Sequence, residues 1–224
     1  MELSESTLSV LRNFSTINQN VMVRQGNVLK TMSEARNVLA SATLDVDMPQ
    51  DFGVYDLNEF IGVLGLVDTP RLKFDTDYVT ISDSSGRTKI KYFFSPEDTL
   101  TTPSKDISMP DGEVKFTLDE DTLNKIKRAA STLGHTELSI TGKNGVLSLT
   151  VVENQNSTSN AFSIDIDGEF GDKEFNFVLS IANLKILAGD YDVNISSKLI
   201  SNFRHKEQPV QYWIALEKTS TYGS

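Results

Sequence analysis

The sequence predicts an α+β protein of two similar domains, in which short helices pack on mainly antiparallel sheets. A helix cap followed by a short helix recurs four times, with strand-like runs between the repeats. Residues 95–112, SPEDTLTTPSKDISMPDG, contain three prolines and no sustained periodicity, which is typical of a connector between domains. We therefore predict an N-terminal domain over residues 1–97, a connector over residues 98–112 and a C-terminal domain over residues 113–224.

The first half is predicted to contain two helices. Residues 3–16 form the first, with Ser4 or Ser6 as its cap. Asp56 caps the second, where apolar residues within 57–64 recur at the i, i+3, i+4, i+7 spacing of one helix face. Two glycines on the opposite side of that helix predict the close approach of a neighbouring element. Strands are predicted at residues 17–23, 27–32, 38–47, 72–74, 78–81 and 89–94, and the stretch from Phe52 begins with the end of a strand ahead of the Asp56 cap.

The second half repeats this plan. After a strand at residues 114–118, a third helix places Leu123, Ile126, Ala130 and Leu133 on its buried side. A fourth, short helix is predicted to begin at the cap Ser180. Further strands are predicted at residues 137–141, 146–152, 162–166, 175–179, 191–195 and 210–217, the first two joined by a tight Asn-Gly turn.

Composition excludes several classes of site. The chain has no cysteine and only two histidines, so thiolate sites are absent and imidazole chemistry has few candidates. No Gly-rich phosphate loop or dinucleotide fingerprint occurs, and we expect no cofactor and no metal. The N-terminus lacks the bases of a signal peptide, and no apolar run approaches the ~20 residues of a membrane span. We expect a soluble intracellular protein without a membrane partner.

Two carboxylate patterns are the only candidates for catalysis or metal binding. Asp45 and Asp47 point off one face of a predicted strand, where paired carboxylates could act as acid and base. Residues 165–169, DIDGE, resemble the start of a calcium loop, but the glycine comes two positions early and Asn176 replaces the closing glutamate. A solvated strand is the better interpretation of that segment, and no residue gives an enzyme hypothesis a firm basis.

The basic residues are more informative than the net charge of -10. Lys125 and Arg128 lie on the third helix opposite its apolar stripe, with Lys127 at the flank. Arg12 lies on the polar side of the first helix, and Lys185 on that of the fourth. Each base alone is typical of a solvated helix face. Together, helices brought to one side would give an acidic protein a basic lining that contacts the backbone of a duplex.

The order of these segments resembles one family, the sliding clamps or DNA polymerase processivity factors of T4-type bacteriophages. The resemblance covers nearly the whole chain. Its most specific segments are LRNFSTIN at residues 11–18, VYDLNEFIGVLGLV at 54–67, the helix and strand at 123–141, and FNFVLSIANLKILAGDY at 175–191.

The resemblance implies the DNA clamp fold, assembled as a homotrimeric ring that encircles double-stranded DNA independently of its sequence. It also implies a DNA polymerase docked on one face, an ATP-dependent clamp loader, late viral transcription factors as further partners, and a location in the cytoplasm of the infected bacterial host. The clamp itself is not an enzyme. By position, the resemblance gives Arg12, Arg128 and Lys185 as DNA-lining residues, and spacing adds Lys125 and Lys127.

Two details of the resemblance concern particular residues. Glu2 and Glu5 place acids where the family is expected to have bases, which places DNA contact by the first helical turn in question and also fits compensation of the helix dipole. Partner peptides of ring clamps insert apolar side chains near the connector, and Leu100, Ile107 and Met109 are the candidates there.

Two other classes of protein remain open at this point. One is a non-enzymatic viral structural or assembly protein with the same strand-rich composition. The other is an enzyme that uses Asp45 or Asp47 with a metal ion.

Overall fold

The computed structural model describes residues 1–103, 107–153, 156 and 158–223. Part of the predicted connector, residues 104–106, therefore lies outside the described residues. The chain divides into two units, Met1–Asp106 and Ile107–Ser224, and each unit contains antiparallel strands and buried apolar residues.

Two helices lie in the first unit. Helix α1 spans Glu5–Ile17, and the Ser4 hydroxyl accepts a hydrogen bond from a backbone N–H of its first turn. Helix α2 spans Leu57–Leu64, and the carboxylate of Asp56 caps it as predicted. Helix α1 continues through Ile17, where the sequence predicted a strand, because Ile17 completes the buried stripe of the helix.

Seven strands complete the described part of the first unit, and all their pairings within it are antiparallel. They are β1 (Val21–Val23), β2 (Gly26–Met32), β3 (Val38–Met48), β4 (Phe52–Val54), β5 (Arg71–Phe74), β6 (Tyr78–Ser82) and β7 (Lys89–Phe93). Strand β1 pairs with β4, and β2 pairs with β3. Strands β5, β6 and β7 form a three-stranded sheet in that order, so β5 and β7 are its edges.

The second unit contains one α-helix and ten strands in its described residues. Helix α3 spans Glu120–Leu133; Leu123, Ile126 and Ala130 are buried as predicted, and Leu133 is half-buried. The strands are β8 (Val114–Leu118), β9 (Glu137–Lys143), β10 (Val146–Val152), β11 (Phe162–Ile166), β12 (Gly168–Phe170), β13 (Phe175–Ser180), β14 (Tyr191–Ser196), β15 (Ile200–His205), β16 (Val210–Ala215) and β17 (Thr221–Tyr222).

These strands form two antiparallel arrays. One has the order β11-β10-β9-β13-β17, and the other includes β12-β8-β14-β15-β16. Asn144 and Gly145, between β9 and β10, have φ of 53° and 77°, which confirms the predicted tight turn because only such a turn needs two consecutive positive φ angles. The sequence missed β12, β15 and β17.

The predicted fourth helix is wrong. Only Ile181–Asn183 forms a single 3-10 turn, and the chain then continues without regular secondary structure, with Leu184 and Ile186 buried on either side of exposed Lys185. Leu187 lies in this segment, and its N–H and C=O bond to the hydroxyls of two buried tyrosines instead of to a helical turn.

The glycines of α2 do not meet a neighbour in this chain. A Cβ built on Gly62 would find nothing among the described residues within 4 Å. One built on Gly65 would meet only carbonyl oxygens of its own helix. The predicted close approach is therefore wrong within the described chain.

Candidate nucleic-acid interface

Helix α3 presents three bases with different electrostatic surroundings. Lys125 forms an ion pair with Asp121 one turn earlier, with 2.6 Å between Nζ and Oδ2, and this carboxylate raises the pKa of Lys125. Lys127 is half-buried, and burial lowers its pKa. Arg128 is exposed and has no ion-pair partner within residues 1–103, 107–153, 156 and 158–223. Arg128 is thus the cation of this helix most available to a phosphate.

The position of α3 depends on two caps, Asp119 next to the helix and Asp190 far along the chain. Asp119 accepts a hydrogen bond from the Thr122 N–H at 2.7 Å, and this bond lowers the pKa of Asp119. The Asp190 carboxylate, 70 residues further along, accepts one from the Glu120 N–H at 2.9 Å. Sequence reasoning missed Asp190 because no local pattern links residues so far apart. Together the two carboxylates satisfy backbone donors at the positive end of the helix dipole.

Arg12 on α1 is exposed, but it is already paired. Its guanidinium lies 2.5 Å from the Glu5 carboxylate. The Glu2 carboxylate forms an ion pair with Arg71 of β5, with 3.1 Å between Oε1 and Nε. This ion pair does not involve α1. The two acids that depart from the family expectation therefore each neutralise a base, and α1 adds little net positive charge.

Lys185 is exposed as predicted but does not lie on a helix. It follows the 3-10 turn in an irregular segment that ends before β14, between the buried neighbours Leu184 and Ile186. The structure thus places the candidate bases on one helix of each unit and on one irregular segment of the second unit.

Asp45 and Asp47 do not form a catalytic pair. Both are exposed on β3, and the Asp45 carboxylate accepts hydrogen bonds from the hydroxyls of Ser4 and Thr7, each at 2.7 Å. These hydroxyls, Ser4 first, lower the pKa of Asp45. Asp45 therefore fastens the first turn of α1 to the strand. No group of three or more His, Asp or Glu side chains in the described part of the chain could hold a metal ion.

The three apolar connector candidates differ in exposure. Leu100 is half-buried and packs on Gly53 of β4. In the second unit, Ile107 is 37% exposed and Met109 is half-buried. Ile107 is thus the candidate most available to a partner.

Among the helices of the described residues, none has the length and apolar character needed to cross a bilayer.

Comparison with known proteins gives consistent matches. A family model described as "gp45 sliding clamp, C terminal" matches residues 115–218, and one described as "DNA polymerase processivity factor" matches residues 4–96. The sliding clamp of Vibrio phage KVP40 is 30% identical over 222 residues, which cover 97% of this chain and 99% of that protein. The sliding clamps of Escherichia phage RB69 and Enterobacteria phage T4 are 29% and 27% identical, each with 99% of both chains covered.

A solved structure shows the same fold. Proliferating cellular nuclear antigen from Entamoeba histolytica superimposes with a TM-score of 0.69 over 96% of this chain and 97% of that one. The sequence identity is 15%, so this likeness concerns the fold alone.

Proposed function

The chain belongs to the family of phage sliding clamps, and from this premise we propose that it forms a homotrimeric ring that encircles duplex DNA and tethers the replicative DNA polymerase. The observation that carries the proposal is the match to phage sliding clamps over nearly the full length of both chains. The chain is a processivity factor, and its work is to hold a polymerase on DNA rather than to catalyse a reaction.

Two free sheet edges support head-to-tail closure of the ring. Strand β7 is an edge of a sheet in the first unit, and β11 is an edge of a sheet in the second. Unpaired edge strands expose N–H and C=O groups that can pair with another chain. Because the two edges belong to unlike units, pairing them between copies gives a heterologous contact, which closes into a ring when the rotation fits.

Contacts with DNA are proposed for Arg12, Lys125, Lys127, Arg128 and Lys185. Lysine and arginine side chains that contact phosphates bind DNA independently of its base sequence. Arg12 and Lys125 are each held by a carboxylate, so their attraction to phosphate is weakened. A ring retains DNA by topology, and weak contacts then allow sliding. The acidic remainder of the chain repels DNA, which favours the basic lining as its path.

The remaining partners follow from the same proposal. We propose that an ATP-dependent clamp loader opens the ring, that late transcription factors use it, and that it acts in the cytoplasm of the infected bacterial host. Residues 98–112 then connect domains 1–97 and 113–224, and the polymerase docks beside this connector through Leu100, Ile107 and Met109. The exposure of Ile107 supports this docking.

The assembly state is the first test. Light scattering over a wide concentration range should give three times 24.8 kDa at high concentration and a smaller mass on dilution. A monomer at every concentration would rule out the ring and leave the fold unaffected.

The DNA contacts are tested by charge reversal with a matched control. The double variant Lys125→Glu/Arg128→Glu should weaken loading onto circular duplex DNA, because two phosphate contacts become repulsions. The variant Lys198→Glu/Lys206→Glu changes the net charge by the same amount at exposed positions outside the helices. Equal losses in the two variants would contradict the proposed lining.

A further inference from the structure

One face of the sheet β5-β6-β7 carries a concentration of positive charge. The three strands contain four bases and no acid, in a chain whose net charge is -10. Antiparallel register aligns these residues in two rows across the strands. The rows are Arg71, Ser82 and Lys89, and Lys73, Thr80 and Lys91. All four bases are exposed on the same face, because residues two apart on a strand share a face.

The opposite face of the same sheet belongs to the core. Leu72, Val79 and Ile81 are buried there, at 4%, 0% and 0% exposure. Burial of this face fixes the orientation of the sheet, because a slip of one residue would bring the lysines into the core. The basic face is therefore held open to solvent by the packing behind it.

Two aromatic rings complete the face. Phe93 is 65% exposed and lies opposite Tyr78, with 5.6 Å between ring centroids. Lys91 places its Nζ 4.3 Å from the centroid of the Tyr78 ring. Most of the Phe93 ring is in contact with water. A partner with a flat apolar surface could cover the ring and remove this apolar area from water.

Nearby carboxylates neutralise only part of the charge. Glu2 binds Arg71 at 3.1 Å. Asp75 lies at the turn between β5 and β6, close enough to Lys73 and Lys91 for these cations to contribute to the lowering of its pKa, after the larger effects of the Thr76 N–H and the Tyr78 hydroxyl. No ion pair to Lys73 or Lys89 occurs among the described residues.

We propose that this basic sheet face, defined by Arg71, Lys73, Lys89, Lys91, Tyr78 and Phe93, binds single-stranded nucleic acid. The arginine and lysine side chains neutralise successive phosphates, and a nucleobase stacks on the exposed ring of Phe93. Aromatic rings interleaved with cations are the general means of binding single strands without sequence preference. A duplex keeps its bases stacked on one another and so offers no flat surface to Phe93. An acidic peptide would use the cations and leave the aromatic ring exposed.

This inference is compatible with the ring. Closure uses backbone groups along the outer edge of β7, whereas the single strand lies across the face, on side chains perpendicular to the sheet. Binding of the single strand needs neither the loader nor a closed ring.

Fluorescence anisotropy of the full chain with labelled oligothymidine tests the inference. An oligonucleotide of about 20 nucleotides exceeds the ~4–16 that one such site covers. Lys73→Gln/Lys91→Gln should weaken binding roughly tenfold at low salt and reduce the slope of log K against log salt by about 1.4, or ~0.7 for each lost phosphate. Phe93→Ala should weaken binding roughly 5- to 150-fold with little change in the slope. The control is Lys198→Gln/Lys206→Gln, which removes the same number of positive charges outside this face.

Several results would overturn the inference. The wild-type chain could fail to bind oligothymidine at low salt, or the control could lose as much affinity as Lys73→Gln/Lys91→Gln. Competition by polyglutamate together with no effect of Phe93→Ala would identify an acidic protein partner instead. A fall in molar mass caused by Lys73→Gln/Lys91→Gln would make the face a subunit contact. A chain that stays monomeric yet binds oligothymidine through this face would refute the ring and support the inference, so the two proposals fail separately.

Discussion

Adding one methyl group at Gly53 should separate the start of the connector from the first unit. Gly53 lies in β4, where residues 95–100 cross the strand. The Ser95 N–H donates to the Gly53 carbonyl at 2.9 Å. A Cβ on Gly53 would lie 2.7 Å from Cδ1 of Leu100 and still deeper inside contact with the backbone oxygen of Ser95. A backbone atom cannot turn away as a flexible side chain can, so the crossing segment must move.

The magnitude of the effect follows from these contacts. Forcing a methyl group into a filled site costs about 1–3 kcal/mol. Loss of the hydrogen bond between Ser95 and Gly53 adds about 0.5–1.5 kcal/mol. Gly53→Ala should therefore lower the free energy of unfolding by about 2–4 kcal/mol. In a protein of this size that corresponds to a fall of roughly 5–15 °C in Tm.

Gly62→Ala is the matched control, because it adds the same methyl group in open space on an exposed helix face. It should raise the free energy of unfolding by about 1 kcal/mol, the difference in helix propensity. Urea unfolding followed by far-UV circular dichroism compares the two. Trp213, the only tryptophan, lies in the second unit and would report poorly on the first. A Gly53→Ala variant within about 0.5 kcal/mol of wild type would refute the reasoning.

Three further changes have expected results. Asp119→Ala removes a cap of α3 and should cost about 1 kcal/mol in urea unfolding. Since the Thr122 N–H lowers the pKa of Asp119, this contribution is present above the unfolded pKa of about 3.9 and is lost as the pH falls through the folded value, so wild type and variant should converge once the pH lies below both values. His205→Phe removes the two nitrogens of a buried ring, which bond to one backbone carbonyl and two backbone N–H groups, and should lower the free energy of unfolding in urea by about 2–3 kcal/mol. Gly145→Ala should cost about 1–2 kcal/mol because its φ is 77°, whereas Gly171→Ala, at negative or extended φ and in open space, should be nearly neutral.

Signals that lie within a few residues of one another could be predicted from the sequence. Asp56 capped α2 as expected because a carboxylate before an apolar stripe satisfies donors in the next turn. The Asn144-Gly145 turn formed as expected because both residues tolerate positive φ. Neither feature depends on any distant part of the chain.

The prediction of a fourth helix was wrong for a reason that the local spacing of residues does not show. Leu184 and Leu187 fit a helical stripe, but Leu187 donates to the Tyr212 hydroxyl at 3.2 Å and accepts from the Tyr191 hydroxyl at 2.7 Å. Both tyrosines come from strands that follow the segment, and their bonds replace those of a helix. A distant partner for the backbone thus overrode the periodicity.

The basic sheet face was missed because bases were sought on helices, where their spacing is three or four. In β5 and β7 the bases alternate with apolar residues, as in Arg71-Leu72-Lys73 and Lys89-Ile90-Lys91. This alternation predicts strands, and it does not by itself predict a basic surface. Sequence could have indicated that each pair shares one face, but only the register of β6 shows that the two pairs lie on the same one.

Each of the two basic surfaces contains paired and unpaired cations, since Arg128 on α3 has no ion-pair partner among the described residues and Arg71 on the sheet face is paired with Glu2. On α1 and α3, Arg12 and Lys125 are paired with carboxylates from their own helices. A phosphate must compete with those partners, so each contact is weak and easily exchanged, as sliding on an encircled duplex requires. On the sheet face Lys73 and Lys89 have no such ion pair among the described residues, and an exposed ring stands beside them. A single strand is not held by topology, so its retention has to come from contacts of this stronger kind.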